Sequence, residues 1–224
     1  DYELGTTYKR SSWTAGINLY YMDYRDQLVL TGEINNVGEA VMVNVPHSFR
    51  AGIEITAGVN LWKKIQWDVT GTFSVNKIKN FTEYVDDYDS IWSFTGQTAT
   101  FLGTSRLSFS PNLILGSILT YKPVKGLTAS LHSRYIGKQY IDNTGSDERS
   151  LHPYFVNNLV LGYQFRLKPF SEIGISRMIN NLFSQRYETN AWIYRYNHDG
   201  RQYNVNGYFP QALINYMVGI TLKI

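Results

Sequence analysis

The sequence predicts an all-β fold, the wall of a transmembrane, antiparallel, up-and-down β-barrel. Three observations carry this. Apolar residues recur at every second position through most of the chain, the period of a strand with unlike surroundings on its two faces. The connections between these stretches are alternately short and long, as in barrels with tight turns on one side of a membrane and large loops on the other. Aromatic residues make up 15% of the chain, with 18 Tyr, matching the aromatic girdles of such barrels.

Nine strands are expected. The first is Tyr2 to Lys9, followed by a turn at Ser11–Ser12. The second runs from Trp13 to about Leu28, with Trp13, Ala15, Ile17, Leu19 and Tyr21 on one face. A long connection at about Thr31 to Val41 precedes the third, about Met42 to Asn60. There Phe49, Ala51, Ile53, Ile55, Ala57 and Val59 oppose Arg50, Gly52, Glu54, Thr56, Gly58 and Asn60. After a turn at Leu61–Lys64, the fourth spans Ile65 to about Phe81. A long segment, Thr82 to about Thr104, leads to the fifth at about Leu107 to Tyr121. A Pro123–Gly126 turn precedes the sixth, Leu127 to Ile141, and a loop covers Asp142–Leu151. The seventh is Tyr154 to Phe165, with a turn at Lys168–Ser171. The eighth is Ile173 to Tyr187, and Glu188 to Phe209 is a very long loop. The ninth alternates almost without fault, Leu213 and Met217 being the exceptions: Ala212, Ile214, Tyr216, Val218, Ile220, Leu222 and Ile224 share one face. Apolar edge strands left open invite aggregation, so this one is expected to close against another strand.

Composition excludes several classes. The 224 residues are 43% hydrophobic, yet no run approaches the roughly eighteen apolar residues of a membrane-spanning helix. With no cysteine, disulfides and thiolate metal sites are ruled out. The net charge of +3 is small and dispersed along the chain, without a polybasic run, which argues against a nucleic-acid partner. Soluble lipocalin-like barrels have about eight strands and lack the two-sided loop asymmetry. Bacterial single-chain barrels have an even number of strands. Counting nine back from a periplasmic C-terminus puts Asp1 on the far side, so the chain is expected to be the C-terminal portion of a larger barrel, a miscounted strand being the alternative. Asp1 is not an initiator Met and no signal segment follows it, in line with a mature, trimmed or fragmentary chain.

Several strings resemble a known family. They are Asn18-Leu19-Tyr20-Tyr21-Met22-Asp23-Tyr24, then Asn44 through Glu54, then Ser110-Pro111-Asn112. Arg134-Tyr135-Ile136-Gly137-Lys138-Gln139-Tyr140 follows, and then Asn180-Asn181-Leu182-Phe183 with Tyr187 four positions on. Jointly these resemble the C-terminal barrel of TonB-dependent outer-membrane receptors. The resemblance spans essentially the whole chain and implies nine strands of a barrel of about 22 around a plugged lumen. It also implies an N-terminal plug and further strands outside residues 1–224, residence in the bacterial outer membrane, and uptake energised through TonB. Met217, Gly219, Leu222 and Ile224 resemble the terminal signal read by barrel-assembly machinery, departing from it by Ile where an aromatic is usual. Further partners implied are outer-membrane lipid, lipopolysaccharide and a surface lipoprotein. No cofactor is implied.

Residue roles follow from face and loop. Arg50, Glu54, Gln66, Asp68, Asn76, His132, Arg134, Asn158 and Gln164 fall on the lumen face, where charge is tolerated and hydrogen bonding to plug or neighbouring strands is expected. Arg177 shares parity with Ile173, Ile175 and Ile179, so a β-bulge near Ser176–Met178 or a reach to periplasmic headgroups is expected there. Ligand capture is expected in two loops, one carrying Tyr84, Asp86, Asp87, Asp89 and Trp92, the other Trp192, Tyr194, Tyr196, Arg201 and Tyr203. Aromatics beside charges suit a large ligand with apolar faces and polar edges. The acidic run from Glu83 to Asp89 has the oxygen chemistry for Ca²⁺ but lacks EF-hand spacing, and a solvated acidic loop is the simpler reading. The four histidines show no paired metal spacing. Iron–siderophore uptake is the commonest role implied; cobalamin, haem and glycan uptake stay open. An outer-membrane enzyme lacks a nucleophilic string such as G-x-S-x-G, and a non-transporting structural barrel is the other class.

Overall fold

Period-two alternation becomes one continuous curved wall. The computed structural model describes residues 1–35 and 37–224. Nine strands pair in the order β1 (Tyr2–Lys9), β2 (Trp13–Ile34), β3 (Ala40–Leu61), β4 (Ile65–Tyr88), β6 (Leu113–Tyr121), β7 (Leu127–Ile136), β10 (Tyr154–Leu167), β11 (Phe170–Asn180) and β14 (Asn215–Lys223). Every pair along this path is antiparallel. Off the path lie β5 (Phe94–Arg106), against the upper part of β4, and the hairpin of β12 (Glu188–His198) and β13 (Arg201–Pro210). A two-residue pair, β8 (Gln139–Tyr140) with β9 (Ser150–Leu151), and a 3₁₀ turn at Asp147–Arg149 complete the described residues. None of their helices is long and apolar enough to cross a membrane.

Register keeps the two faces separate across the wall, because directly paired residues point the same way. Asn18, Glu54 and Thr72 lie in one row, and Asp68, Ile118, His132 and Asn158 in another. Register puts Arg50, Glu54, Gln66, Asp68, Asn76, His132, Arg134, Asn158 and Gln164 on one and the same face of the sheet. The opposite rows run Ile17, Ile55, Gly71, Leu115, Tyr135 and Phe155. On that side apolar chains stay open: Ile17 is 44% exposed, Ile55 42% and Ile220 69%. A soluble sheet would bury them; a bilayer-facing one leaves them to lipid. The nine strands and the short turns are therefore as expected.

Several boundaries differ, mostly at the long-loop end. The connection expected over Thr31 to Val41 is strand, β2 and β3 continuing to Ile34 and from Ala40; Asn36 lies outside the described residues. The fourth strand runs on to Tyr88, and the segment Thr82 to Thr104 is a hairpin of β4 with β5. The expected fifth strand starts later, at Leu113, and β5 ends at Arg106, before its expected start. The sixth stops at Ile136, the eighth spans Phe170–Asn180, the loop Glu188 to Phe209 is a hairpin, and the ninth starts at Asn215. Beyond the bilayer both faces of a hairpin meet water, so alternation fades while backbone pairing persists.

Arg177 also departs from expectation. It pairs without a bulge, opposite Leu161 on β10 and Val218 on β14. It sits near the Asn180 end of β11, away from the short turn, with its guanidinium 5.7 Å from the centre of the Tyr216 ring. Ring and cation together form an amphipathic anchor at an interface; neither the bulge nor the periplasmic reach holds.

Pro46 organises the transition from wall to hairpins. It has no N–H for the ladder, and the β3–β4 register stops beside it at His47 opposite Lys79. Asp26 and Asn80, the residues that would flank it, have φ of 52° and 55°, left-handed values that re-aim side chains. Around this line Val29, Val45, Ile78 and Leu107 close a small core, 6%, 2%, 0% and 2% exposed. A second core of Ile141, Leu151, Ala191 and Ile193 lies under the long-loop end.

Candidate functional site

The two segments expected to capture ligand come together as two docked hairpins. In the first, Asp89 shapes the tip: its Oδ1 accepts from the amides of Ile91 at 3.0 Å and Ser93 at 2.8 Å. Trp92 takes a left-handed φ of 64° there, which turns its indole toward the second hairpin. That hairpin turns on Asp199–Gly200, both with positive φ (49° and 73°), the two-residue Asp-Gly turn that matches strand twist. Strand β12 then lies parallel to β4, with Tyr196, Asn197 and His198 beside Asp86, Asp87 and Tyr88. The Asn197 amide donates to Asp87 Oδ1 at 2.6 Å.

Docking assembles an aromatic cluster. Trp92 stacks on His198 with centroids 4.0 Å apart and lies 5.7 Å from Tyr196. Tyr196 stacks on Tyr203 at 5.3 Å and adjoins Tyr194 at 5.6 Å. Tyr88 meets Phe94 at 6.0 Å and Tyr196 at 6.4 Å. The Tyr194 hydroxyl is pushed up to about 12 by its hydrogen bond with Tyr88, then by burial and nearby negative charge including Asp86. It stays a neutral donor at physiological pH.

Beneath this cluster, charges from distant segments meet in near-complete burial. Arg195 on β12 pairs with Glu83 on β4, their side chains 8% and 11% exposed. Arg149 Nη1 is 3.3 Å from Glu83 Oε1 and 3.1 Å from Asp142 Oδ2. Arg195 Nε lies 3.9 Å from the same Asp142 oxygen. Burial raises the Glu33 carboxyl above its ordinary range, opposed by Arg195 and reinforced by Asp86 and Asp142. Burial also lowers the Arg195 guanidinium, with Glu33 opposing. Glu33, Glu83, Asp142 and Arg195 border a cavity of about 510 Å³ that also takes in Asn44, Tyr84 and Gln97.

Of the ten capture residues expected, Trp92, Tyr194, Tyr196 and Tyr203 lie in the aromatic cluster. Tyr84 lines the cavity. Asp86 accepts from Gln97 Nε2 at 2.8 Å, and Asp87 from Thr98 Oγ1 at 2.9 Å. With Asp89 holding the tip, these carboxylates are tied up in hairpin structure. Among the described residues, no group of three or more His, Asp or Glu is placed to hold a metal ion. Trp192 covers Gly207, where a Cβ would run into the indole. Arg201 sits exposed at the hairpin tip, opposite His198. Tyr88, Phe94 and His198, read from sequence only as residues of these loops, belong to the cluster. The Glu83–Arg149–Arg195–Asp142 network escaped sequence reading, since its members lie on segments far apart along the chain.

On the polar face, Arg50 Nη1 donates to Ser110 Oγ at 3.1 Å and Asn76 Oδ1 at 3.3 Å. Asn18 Nδ2 donates to Glu54 Oε2 at 3.5 Å. Asp68, His132 and Arg134 border a concavity of about 590 Å³. Met217 and Gly219 lie on the polar face, opposite Met178 and Ser176, and Leu222 on the apolar one, opposite Ile173.

Comparison with known proteins agrees with this architecture. The chain is 24% identical over 240 residues to the ferrienterobactin receptor of Escherichia coli (strain K12), covering 92% of this chain and 29% of that protein. It superposes on the ferric-catecholate import receptor Fiu of E. coli K12 with a TM-score of 0.61 and 18% identity, covering 97% of this chain and 26% of that one. The ferric yersiniabactin uptake receptor FyuA of Yersinia pestis gives 0.59 and 22%, with 97% and 28% covered. A copper transporter, OprC, gives 0.63 and 17%, with 97% and 30% covered. The chain thus spans less than a third of each of these relatives. The family model for the TonB dependent receptor-like β-barrel matches residues 1–182. This chain belongs to the TonB dependent receptor-like β-barrel family.

Proposed function

We propose that this chain forms part of the wall of an outer-membrane active-transport receptor that captures a large, scarce nutrient at its long-loop end. The nutrient is an iron–siderophore complex, imported with energy delivered through TonB. The observation that carries this reading is the aromatic cluster built by the two docked hairpins above a charged, concave wall. Rings present flat apolar faces to a chelate, while the exposed Arg201 offers donors to its anionic edges. The ferric-siderophore receptors among its relatives support the ligand class; the copper transporter among them shows that the fold alone does not decide it.

In this reading the hairpins hold the ligand at the outer surface, and the plug, packed against the face that carries Arg50, Glu54, Asp68, His132 and Arg134, moves when TonB pulls. The wall supplies polar partners for the plug and does no bond chemistry, which makes the receptor a transporter and not an enzyme. Assembly machinery reads the last strand, and lipid covers the apolar face. Tryptophan fluorescence tests capture directly. Titrating the full-length protein with ferric siderophores of catecholate, hydroxamate and phenolate type is expected to quench emission with sub-micromolar affinity for one class. Trp92→Ala together with Tyr203→Ala is expected to weaken that affinity at least tenfold, leaving the barrel folded. Undiminished affinity in the double variant removes the cluster from the binding site.

A further inference from the structure

The cavity of about 510 Å³ is walled by residues of both long hairpins, β2–β3 and β4–β5, and by Asp142 and Arg195. Its charges do not balance. Arg149 and Arg195 answer Glu83 and Asp142, two cations for two carboxylates. Glu33 is left over. Its backbone amide donates to Thr31 Oγ1 at 3.2 Å, but among the described residues its carboxylate has neither an ion pair nor a hydrogen bond. Burial raises its proton affinity, and Asp86 and Asp142 are near enough to add to that. A second acceptor on the same wall is also unmet. The Asp142 side chain is 4% exposed, and its Oδ2 is buried without a hydrogen-bond partner. Arg149 Nη1, 3.1 Å away, lies off the hydrogen-bond direction. The other oxygen, Oδ1, accepts from the Thr144 amide at 3.0 Å and hydroxyl at 2.6 Å.

Two amide donors at the edge of the cavity are committed elsewhere, Gln97 Nε2 to Asp86 at 2.8 Å and Asn143 Nδ2 to the Leu30 carbonyl at 2.6 Å. The space therefore offers unmet acceptors and one uncompensated negative charge, both costly under burial until a donor arrives. Val41, Val43, Val45 and Phe81 supply apolar wall. An occupant that suits both kinds of wall joins a positively charged donor to an aliphatic stem. A bare metal ion does not, since hydrocarbon wall gives it no ligand and two carboxylates are too few. The cavity also adjoins the aromatic cluster. The Tyr194 hydroxyl is raised first by its bond with Tyr88, then by burial and by nearby charges that include Glu33.

We infer that this cavity takes an aliphatic ammonium group, the tail of the ligand whose body rests on the aromatic cluster. The ammonium supplies the charge that Glu33 lacks and the donor that Asp142 Oδ2 lacks, while its methylenes lie along the valines and Phe81. Placing the tail on a captured chelate rests on the function proposed above; the preference of the cavity for an ammonium group does not.

Calorimetry on the full-length protein in non-ionic detergent provides the test. Pentylammonium and pentanol share a stem and differ at the charged end. Pentylammonium is expected to bind at least tenfold more tightly, and Glu33→Gln to bring the two together. Equal affinity in the unmodified protein, or no binding of the amine, overturns the inference without any variant. So does a preference unchanged in Glu33→Gln once amide exchange over residues 139–151 shows the cavity wall intact. Displacement of the amine by an equal concentration of potassium or calcium would assign the cavity to an inorganic cation, which also overturns it. A linear ferric trihydroxamate ending in a pentylamine is then compared with its N-acetylated form. The free amine is expected to bind at least tenfold more tightly; equal affinity overturns the placement of the tail. Pentylammonium bound but neither chelate bound would support the cavity's assignment and reject the iron-chelate reading.

Discussion

Gly32 has φ of +89°, and a Cβ there would lie 2.6 Å from the Ile141 carbonyl oxygen and 3.0 Å from Ile193 Cγ2. Both strain and collision would fall on the core beneath the hairpins. Gly32→Ala is expected to loosen that core by about 1–3 kcal/mol, read as faster amide exchange over residues 139–151 and 188–198 with the β3–β4 ladder unchanged. Glu33, next to it, has a raised carboxyl pKa because it is buried. The folded state therefore binds its proton more tightly than the unfolded one, and stability falls as pH rises from about the ordinary value of 4.5 through the raised value. Exchange in the docked hairpins should accelerate across that window, and Glu33→Gln should remove the dependence. Arg177 offers a third residue-level check. An arginine at mid-bilayer costs about 2–4 kcal/mol and one near an interface about 0–1. Its place beside Tyr216 near the end of β11 puts it in the second class. Arg177→Leu should then change barrel stability in urea by less than about 1 kcal/mol; a gain of several would place it at mid-bilayer.

The hairpin β12–β13 is held to β4 by few backbone bonds, so its buried ion network carries much of the docking. Removing one partner of a buried pair leaves a charge without compensation, at a cost of about 3–5 kcal/mol. Arg195→Leu is accordingly expected to free residues 188–210 to rapid exchange and to separate Trp92 from His198, while the nine-strand wall keeps its protection. Protection unchanged in both regions would mean that the aromatic contacts alone hold the hairpin. What was legible in the sequence follows the same division of elements. Ile53, Ile55, Val218 and Ile220 announced their strands because lipid on one side and polar surroundings on the other enforce a period of two. Residues 82–88 and 94–104 did not, since both faces of that hairpin meet water or other loops, and propensity there says little. Trp92, Tyr194, Tyr196 and Tyr203 were visible as aromatic-rich loops. The joining of Glu83 to Asp142, Arg149 and Arg195 depends on β4 and β12 lying parallel, which no local pattern encodes.

At the scale of the molecule, the wall is an open sheet whose path runs from β1 to β14. One face is apolar and lipid-compatible, the other charged and concave, and the proposed capture chemistry lies at one end. Such an asymmetric wall suits a receptor that binds outside and delivers inside. The family and the ferric-siderophore receptors among its relatives support this reading, and the central claim is energised import by the full-length protein. Iron-55 uptake from a ferric siderophore, in cells lacking their own receptors but expressing this one, tests it most directly. The account predicts saturable accumulation that requires TonB and falls with Trp92→Ala plus Tyr203→Ala. Accumulation that persists without TonB, or none with any ferric siderophore despite a folded barrel in the outer membrane, would contradict it.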